Sequence, residues 1–288
     1  MVDTDAEDDT DADADANVDT DTDADAGYRT ERTDGVLCVH RPGVEWLSSG
    51  WNGGRSRTDR AFNVSVPEGW HCDDLKRYVQ ERLERAGFAD ARRDHPALLT
   101  GVDLEHARGA HCRSVTAYAT AGISNPAALP MDPAGGSLPD GRLEPDSLER
   151  TEGSNTGDDR DDGDERGNER YAGTVNLIVG TTHALEAGAL ENLLAVAAEA
   201  KAATLLARTG FPGTTTDAIV VAHDPSGSSR AFSGSATAVG AAARACVREA
   251  ITASLASRYE GTDPTIPASV SAAEYGVSTD ARATVFRP

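Results

Sequence analysis

Apolar residues recur along this 288-residue chain with two different periods, and each period predicts a different kind of element. Residues 33–40 and 61–66 read as strands on either side of a Gly-rich turn, Ser48-Ser49-Gly50-Trp51-Asn52-Gly53-Gly54. Over 73–86 the spacing becomes helical: Leu75, Tyr78, Val79, Leu83 and Ala86 share one face, and Gly87 is a natural stop. Residues 97–102 and 113–120 are further strands, the second ending in a turn at 121–126. In the C-terminal half, 171–182 is a strand with an almost continuous apolar run, 185–208 a long helix closed by Gly210, and 217–223 another buried strand. The hydroxyl-rich cluster at 233–237 opens a last helix running to about Tyr259, with a Ser or Thr suited to cap it. Residues 261–288 read as a loosely held tail. Strands early in the chain, followed by strand, helix, strand, helix, predict an α+β fold. Its mixed sheets would be covered by long Ala-rich helices, with a layered αββα-like arrangement as one form, rather than a doubly wound sheet.

Charge separates the folded body from its appendages. Residues 1–30 carry 12 Asp/Glu against one Arg, and 131–170 carry 13 against five, so the two tracts hold net charges of -11 and -8 out of -21 overall. The remaining 218 residues, with 23 acidic and 21 basic side chains, are close to neutral. Repeated Asp-Thr-Asp-Ala, and the Gly/Asp/Arg-rich run 151–170, cannot bury enough apolar surface to offset chain entropy; both tracts are expected to be disordered. One domain, 31–260, is thus expected, interrupted by the acidic insert at about 131–170. Only two of the 27 basic residues are lysine, and Ala, Asp, Gly and Thr dominate. That usage points to a salt-loving source, an archaeon with a GC-rich genome.

Several function classes are excluded by what the chain lacks. No Gly-x-Gly-x-x-Gly fingerprint is present, neither Lys76 nor Lys201 follows a glycine as a Walker loop requires, and there is no His-Glu-x-x-His or Gly-x-Ser-x-Gly. The near-neutral body and few aromatics argue against nucleic-acid binding. No run reaches the roughly 20 apolar residues of a membrane helix, and the acidic start is the opposite of a signal peptide. A cytoplasmic protein without membrane insertion is expected. Cys38, Cys72, Cys112 and Cys246 form no Cys-x-x-Cys pair, and each His-Cys dipeptide (His71-Cys72, His111-Cys112) would offer one ligand in extended chain. No metal site is expected.

Three clusters of small polar residues remain at strand ends: 49–54, 122–125, and Thr174 with Asn176 beside 214–217. Glycines let a ligand approach the backbone, and Thr, Ser and Asn offer neutral hydrogen bonds. The competing reading is that these are turns and caps. Among them Asp217 stands with hydroxyls at the mouth of a buried strand and is the candidate base or orienter; its alternative is a turn carboxylate binding backbone N–H groups. Thr216 and Thr174 are candidate hydroxyl nucleophiles, or plain β-branched strand residues. Asn176 and Asn125 are candidate donors to an oxyanion or a substrate amide. Asn52, Gly53, Gly54, Ser124, Thr214 and Thr215 complete the candidate lining. His183 follows its strand as a possible base, against a surface or satisfied histidine.

The motifs Ser48-Ser49-Gly50-Trp51-Asn52-Gly53-Gly54, Thr120-Ala121-Gly122-Ile123-Ser124-Asn125 and Gly213-Thr214-Thr215-Thr216-Asp217-Ala218, with Thr174-Val175-Asn176 and Glu199-Ala200-Lys201, resemble the adenosylcobinamide amidohydrolase family (CbiZ) in order and spacing. The resemblance covers about 33–130 and 171–258. It implies hydrolysis of the amide joining aminopropanol to the corrin ring of adenosylcobinamide, giving adenosylcobyric acid in corrinoid salvage. The corrinoid is then a substrate, with no cofactor, and the oligomeric state stays open. Two alternatives stand beside it. The first is a non-enzymatic corrinoid-binding protein using the same cleft. The other is a self-processing amidohydrolase, vaguely similar to the aminopeptidase DmpA and ornithine acetyltransferase type, in which cleavage between Gly173 and Thr174 exposes an N-terminal nucleophile.

Overall fold

A computed structural model describes residues 27–67, 70, 72–88, 95–138, 173–261 and 265–288. Most of both acidic tracts, 1–26 and 139–172, lies outside the described residues, as do His71 and the first two residues of the expected strand 171–182. In chain order the N-terminal half contains β1 (Arg29–Thr33), β2 (Val36–His40), β3 (Glu45–Ser48), β4 (Gly54–Arg57), β5 (Arg60–Ser65), α1 (Leu75–Arg85), β6 (Ala97–Thr100), β7 (Arg108–Cys112), β8 (Val115–Ala121) and β9 (Pro126–Ala128). The C-terminal half adds β10 (Val175–Thr181), β11 (Ala184–Leu185), α2 (Ala189–Thr209), β12 (Gly213–Thr214), β13 (Ala218–His223), β14 (Ser229–Arg230), α3 (Ala238–Tyr259) and β15 (Val277–Ser278).

Two sheets dominate: a four-stranded one ordered β1-β2-β5-β6 and a six-stranded one ordered β4-β3-β13-β10-β8-β7. Each is antiparallel except for one parallel pair, β5/β6 and β10/β13. A parallel pair needs a crossover, and α1 and α2 supply the two. The fold is therefore α+β with mixed sheets, as the element order predicted.

Side-chain alternation along the strands sets the layers. Val175, Leu177 and Val179 of β10 join Ile219 and Val221 of β13 in a core shared with α2 and α3. Ile178, Val220 and Ala222 face the opposite way, into a second core with Leu37, Val39, Ala61 and Leu98 of the four-stranded sheet. The far face of that sheet, Val36, Cys38, Phe62 and Val64, packs on Val79 and Leu83 of α1. The order helices, sheet, sheet, helix makes all seven residues of β10 buried, which explains its unbroken apolar run.

Three boundaries differ from the periodicity. The strand expected at 33–40 is broken after Thr33, because Asp34 and Gly35 adopt positive φ (47° and 69°) and turn β1 back onto β2. This is the Asp-Gly hairpin signal. β1 itself, Arg-Thr-Glu-Arg-Thr and exposed throughout, has no apolar period to detect. Helix α2 begins at Ala189 rather than 185, since Ala184 and Leu185 pair with β14 and Gly188 (φ 84°) redirects the chain. The cap of α3 falls where expected, Thr237 accepting from Gly240 N. Beyond it, β15 adds to β9 in a small sheet ordered β12-β9-β15.

Ion pairs stabilise the end of the six-stranded sheet where β10 and β13 finish. Glu45 bonds Arg55 and Arg57, Arg41 bonds Asp224, and Arg55 also reaches Glu191 of α2. Within this network Leu185 N donates to His223 Nδ1 at 2.9 Å, tying the approach to α2 onto the end of β13. Burial holds the His223 imidazole below its ordinary pKa of 6.5, against a smaller opposing pull from Glu45. A histidine held neutral in the fold contributes stability above its unfolded pKa, and that contribution is lost as pH falls through the folded value. Thermal melts at high salt from pH 7.5 down to 5 should thus show stability falling below about 6.5, with His223→Asn, which keeps an acceptor for Leu185 N, flattening that dependence. An unchanged slope in the variant would assign the pH response elsewhere.

Candidate active site

The opposite end of the same sheet, where β10 and β13 begin, carries hydroxyls, carboxamides and the Asp217–Lys201 ion pair. Parallel register places Asn176 beside Ala218, so Thr174 enters beside Thr216 and Val175 beside Asp217. Antiparallel pairing of β8 brings Thr120 opposite Asn176, and its continuation, 122–125, to the same edge. Antiparallel pairing of β3 brings Ser48 opposite Val220, and the Gly-rich turn with it. All three polar clusters therefore converge on one end of the sheet.

Asp217 is the knot of this end. Its Oδ1 accepts from Val175 N at 2.9 Å and from the Thr214 hydroxyl, and its Oδ2 accepts from Thr214 N at 3.0 Å and from Lys201 Nζ of α2. Side-chain exposure is 9% for Asp217 and 12% for Lys201. A Cβ on Gly213 would lie 2.7 Å from Asp217 Oδ2 and 3.4 Å from Lys201 Nζ, so only glycine lets the β12 backbone pass this close to the pair. With four donors on its two oxygens, Asp217 resembles an anchor and orienter more than a base awaiting a proton.

Beside the knot, Thr174 and Thr216 form a hydroxyl pair, Oγ1 to Oγ1 at 3.0 Å. Thr174 is buried and Thr216 exposed, so the pair runs from the sheet interior to the surface. Thr216 Oγ1 also reaches the Gly173 carbonyl oxygen at 3.5 Å. Gly173 passes against 122–124 so closely that a Cβ there would stand 2.3 Å from Ser124 N. Asn125 fastens the loop that follows α2: its backbone carbonyl accepts from Thr215 N at 3.2 Å, and its Nδ2 bonds Thr215 Oγ1.

Asn176 points between the two sheets. Its Nδ2 donates to Asn63 Oδ1 at 3.1 Å and to Leu99 O at 2.8 Å, and Asn63 Nδ2 in turn bonds Thr120 Oγ1 at 3.0 Å. Both N–H groups of Asn176 are thereby spent within the protein, which removes the oxyanion-donor role expected for it. What it and Asn125 leave without a protein partner is a buried carboxamide oxygen each.

Asn52, Gly53 and Gly54 form the tip of the β3–β4 hairpin, with Asn52 (φ 50°) and Gly54 (φ 105°) in left-handed or positive-φ backbone. The hairpin is stitched to the start of β13 by Ser49, whose N and Oγ bond Ile219 O while Ile219 N donates to Ser49 Oγ at 3.0 Å. His183 lies at the other end of β10, bonded to Ser228 Oγ at 2.8 Å, and is separated from Thr174 by the whole strand. Ser49 stood in the 49–54 cluster and Lys201 in the Glu199-Ala200-Lys201 motif, but neither was given a site role, and Asn63 was not singled out. Lys201 carried a signal, as a rare lysine inside an Ala-rich helix, but its partner sits 16 residues away and only the packing of α2 joins them. Among the described residues no group of three or more His, Cys, Asp or Glu could hold a metal ion, and no helix is long and apolar enough to cross a membrane.

The sequence matches a known family along most of its length. The family profile for adenosylcobinamide amidohydrolase (CbiZ) matches residues 18–263, spanning both sheets and every residue of the Asp217 knot. An adenosylcobinamide amidohydrolase of Halobacterium salinarum is 54% identical over 261 residues, 91% of this chain and 100% of that protein. A second, from Methanosarcina mazei, is 27% identical over 181 residues, 62% of this chain and 70% of its own length. The salt-loving relative agrees with the lysine-poor, acidic composition. By profile and by identity along nearly its whole length, this chain belongs to the adenosylcobinamide amidohydrolase family.

Proposed function

We propose that this protein hydrolyses the amide joining aminopropanol to the corrin ring of adenosylcobinamide, taking up one water and releasing adenosylcobyric acid and aminopropanol in the cytoplasm. The observation that carries the reading is the convergence of the family motifs on one sheet end, around the Asp217–Lys201 pair and the Thr174–Thr216 hydroxyls. A corrin is a broad macrocycle rimmed with acetamide and propionamide groups. A rim of Thr, Ser, Asn and backbone amides suits such a ligand better than a phosphate does. The corrinoid is the substrate of this reaction, not a cofactor.

In this reading the exposed Thr216 hydroxyl meets the scissile amide and Thr174 accepts from or donates to it from behind. Asp217 orients the group through Thr214 and the start of β10. Chromatography of adenosylcobinamide incubated with purified protein and no nucleotide should show product; strict dependence on ATP would sink the assignment.

The roles separate in two variants. Thr216→Val removes an exposed hydroxyl and should lower turnover roughly a hundredfold, while the melting temperature stays within about 2 °C. Asp217→Asn leaves Lys201 buried without its counter-charge and should cost about 3–5 kcal/mol of stability, so that turnover and melting temperature fall together. Wild-type turnover in Thr216→Val would take the hydroxyl pair out of the chemistry.

One observation favours the self-processing reading: the Thr216 hydroxyl lies within reach of both the Gly173 carbonyl oxygen and the Thr174 hydroxyl. Attack of Thr174 Oγ1 on that carbonyl, followed by hydrolysis of the ester, would leave chains 1–173 and 174–288. Intact-mass measurement of purified, active protein decides it, because a single uncut chain excludes the step.

A further inference from the structure

We infer that Lys201 is a catalytic residue of this site, the cation that stabilises negative charge on the oxygen of the scissile amide. The inference rests on the amide hydrolysis proposed above. Attack at the carbonyl carbon forms a C–O bond and moves the C=O π pair onto oxygen. That pair returns as the C–N bond breaks and the nitrogen leaves, with a proton, as aminopropanol. The oxyanion in between requires donors already in place.

Four observations assign that task to Lys201. The carboxamides named for it are largely engaged: both N–H groups of Asn176 serve Asn63 and Leu99, and one of the two on Asn125 Nδ2 serves Thr215. Lys201 has three N–H groups, and among the described contacts it gives one, to Asp217 Oδ2, leaving two to donate. Its side chain is 12% exposed, a setting in which a cation acts on developing charge more strongly than in bulk water. Composition adds the last: the chain has two lysines against 25 arginines, so one of its two lysines stands in the middle of α2 at the knot of the site. A compact ammonium fits beside Gly213, where a Cβ would already come within 3.4 Å of Nζ, and a planar guanidinium is bulkier. Asp217 fixes the direction of the ammonium and offsets its burial.

The test uses the full chain at high salt with adenosylcobinamide as substrate, with turnover expressed per folded protein from circular dichroism. Lys201→Met should lower kcat roughly a hundredfold and leave KM within about threefold, because the interaction forms only as charge develops. Lys201→Ala should be similarly slow, and ethylammonium added to it should restore kcat at least roughly tenfold. A scaffold role would not be rescued in this way. A kcat for folded Lys201→Met within about threefold of wild type overturns the inference. So does a Lys201→Ala protein that ethylammonium returns to the folded state but not to turnover. Wild-type protein that releases no aminopropanol overturns the proposed activity itself, and this role with it.

Discussion

The Asp217 carboxylate is the interaction on which the site end of this fold depends. Val175 N, Thr214 N, the Thr214 hydroxyl and Lys201 Nζ come from β10, β12 and α2, and each ends on one of its two oxygens. Two parallel strands that begin side by side leave backbone N–H groups at their mouths, and a carboxylate with four acceptor sites can satisfy several of them at once. The ammonium of Lys201 makes a buried charge tolerable there, and the charge gives that ammonium a fixed direction. Position 213 must be glycine for the same reason, since a side chain would occupy the space in which the pair meets.

The two ends of the six-stranded sheet have diverged around this constraint. One end is closed by arginine–carboxylate pairs and by a buried histidine, groups that tie strands to one another and, through Arg55–Glu191, to α2. The other presents neutral hydroxyls and carboxamides around the Asp217–Lys201 pair, groups that can hydrogen-bond an uncharged amide. Between the sheets the chain Asn176, Asn63, Thr120 replaces hydrocarbon with hydrogen bonds just behind that end. A buried polar chain is costly unless its members are paired. The Asn176 oxygen without a protein partner is thus a point where structural economy has yielded.

Layering explains why these features can coexist with a stable body. β10 and β13 are covered by helices on one face and by the second sheet on the other, so Thr174 and Asp217 each lead directly into a strand that is almost wholly buried. Reactive groups on the first residues of rigid strands are held more precisely than groups on loops alone. The loops that bring the remaining polar residues are themselves stitched to those strands, 48–50 through Ser49 and 213–217 through Asn125.

Much of this was legible in the sequence because it is local. The apolar run 175–181, the Ala-rich helices, the Thr237 cap and the Gly-rich hairpin each follow from spacing and residue type within a dozen positions. Family motifs, read in order, indicated the amide chemistry and picked out Asp217, Thr174, Thr216 and Asn125, which the fold does bring together. What the sequence could not supply was the partner of each group. β1 has no apolar period, and exists because an Asp-Gly turn returns it to β2. The Asp217–Lys201 contact spans 16 residues and the Asn176–Asn63 contact 113, both set by how layers stack rather than by neighbouring residues. Composition and period determined which residues were polar at strand ends. Only tertiary packing decided which of their atoms were already spent on one another, because hydrogen-bond saturation depends on the distances between separate elements.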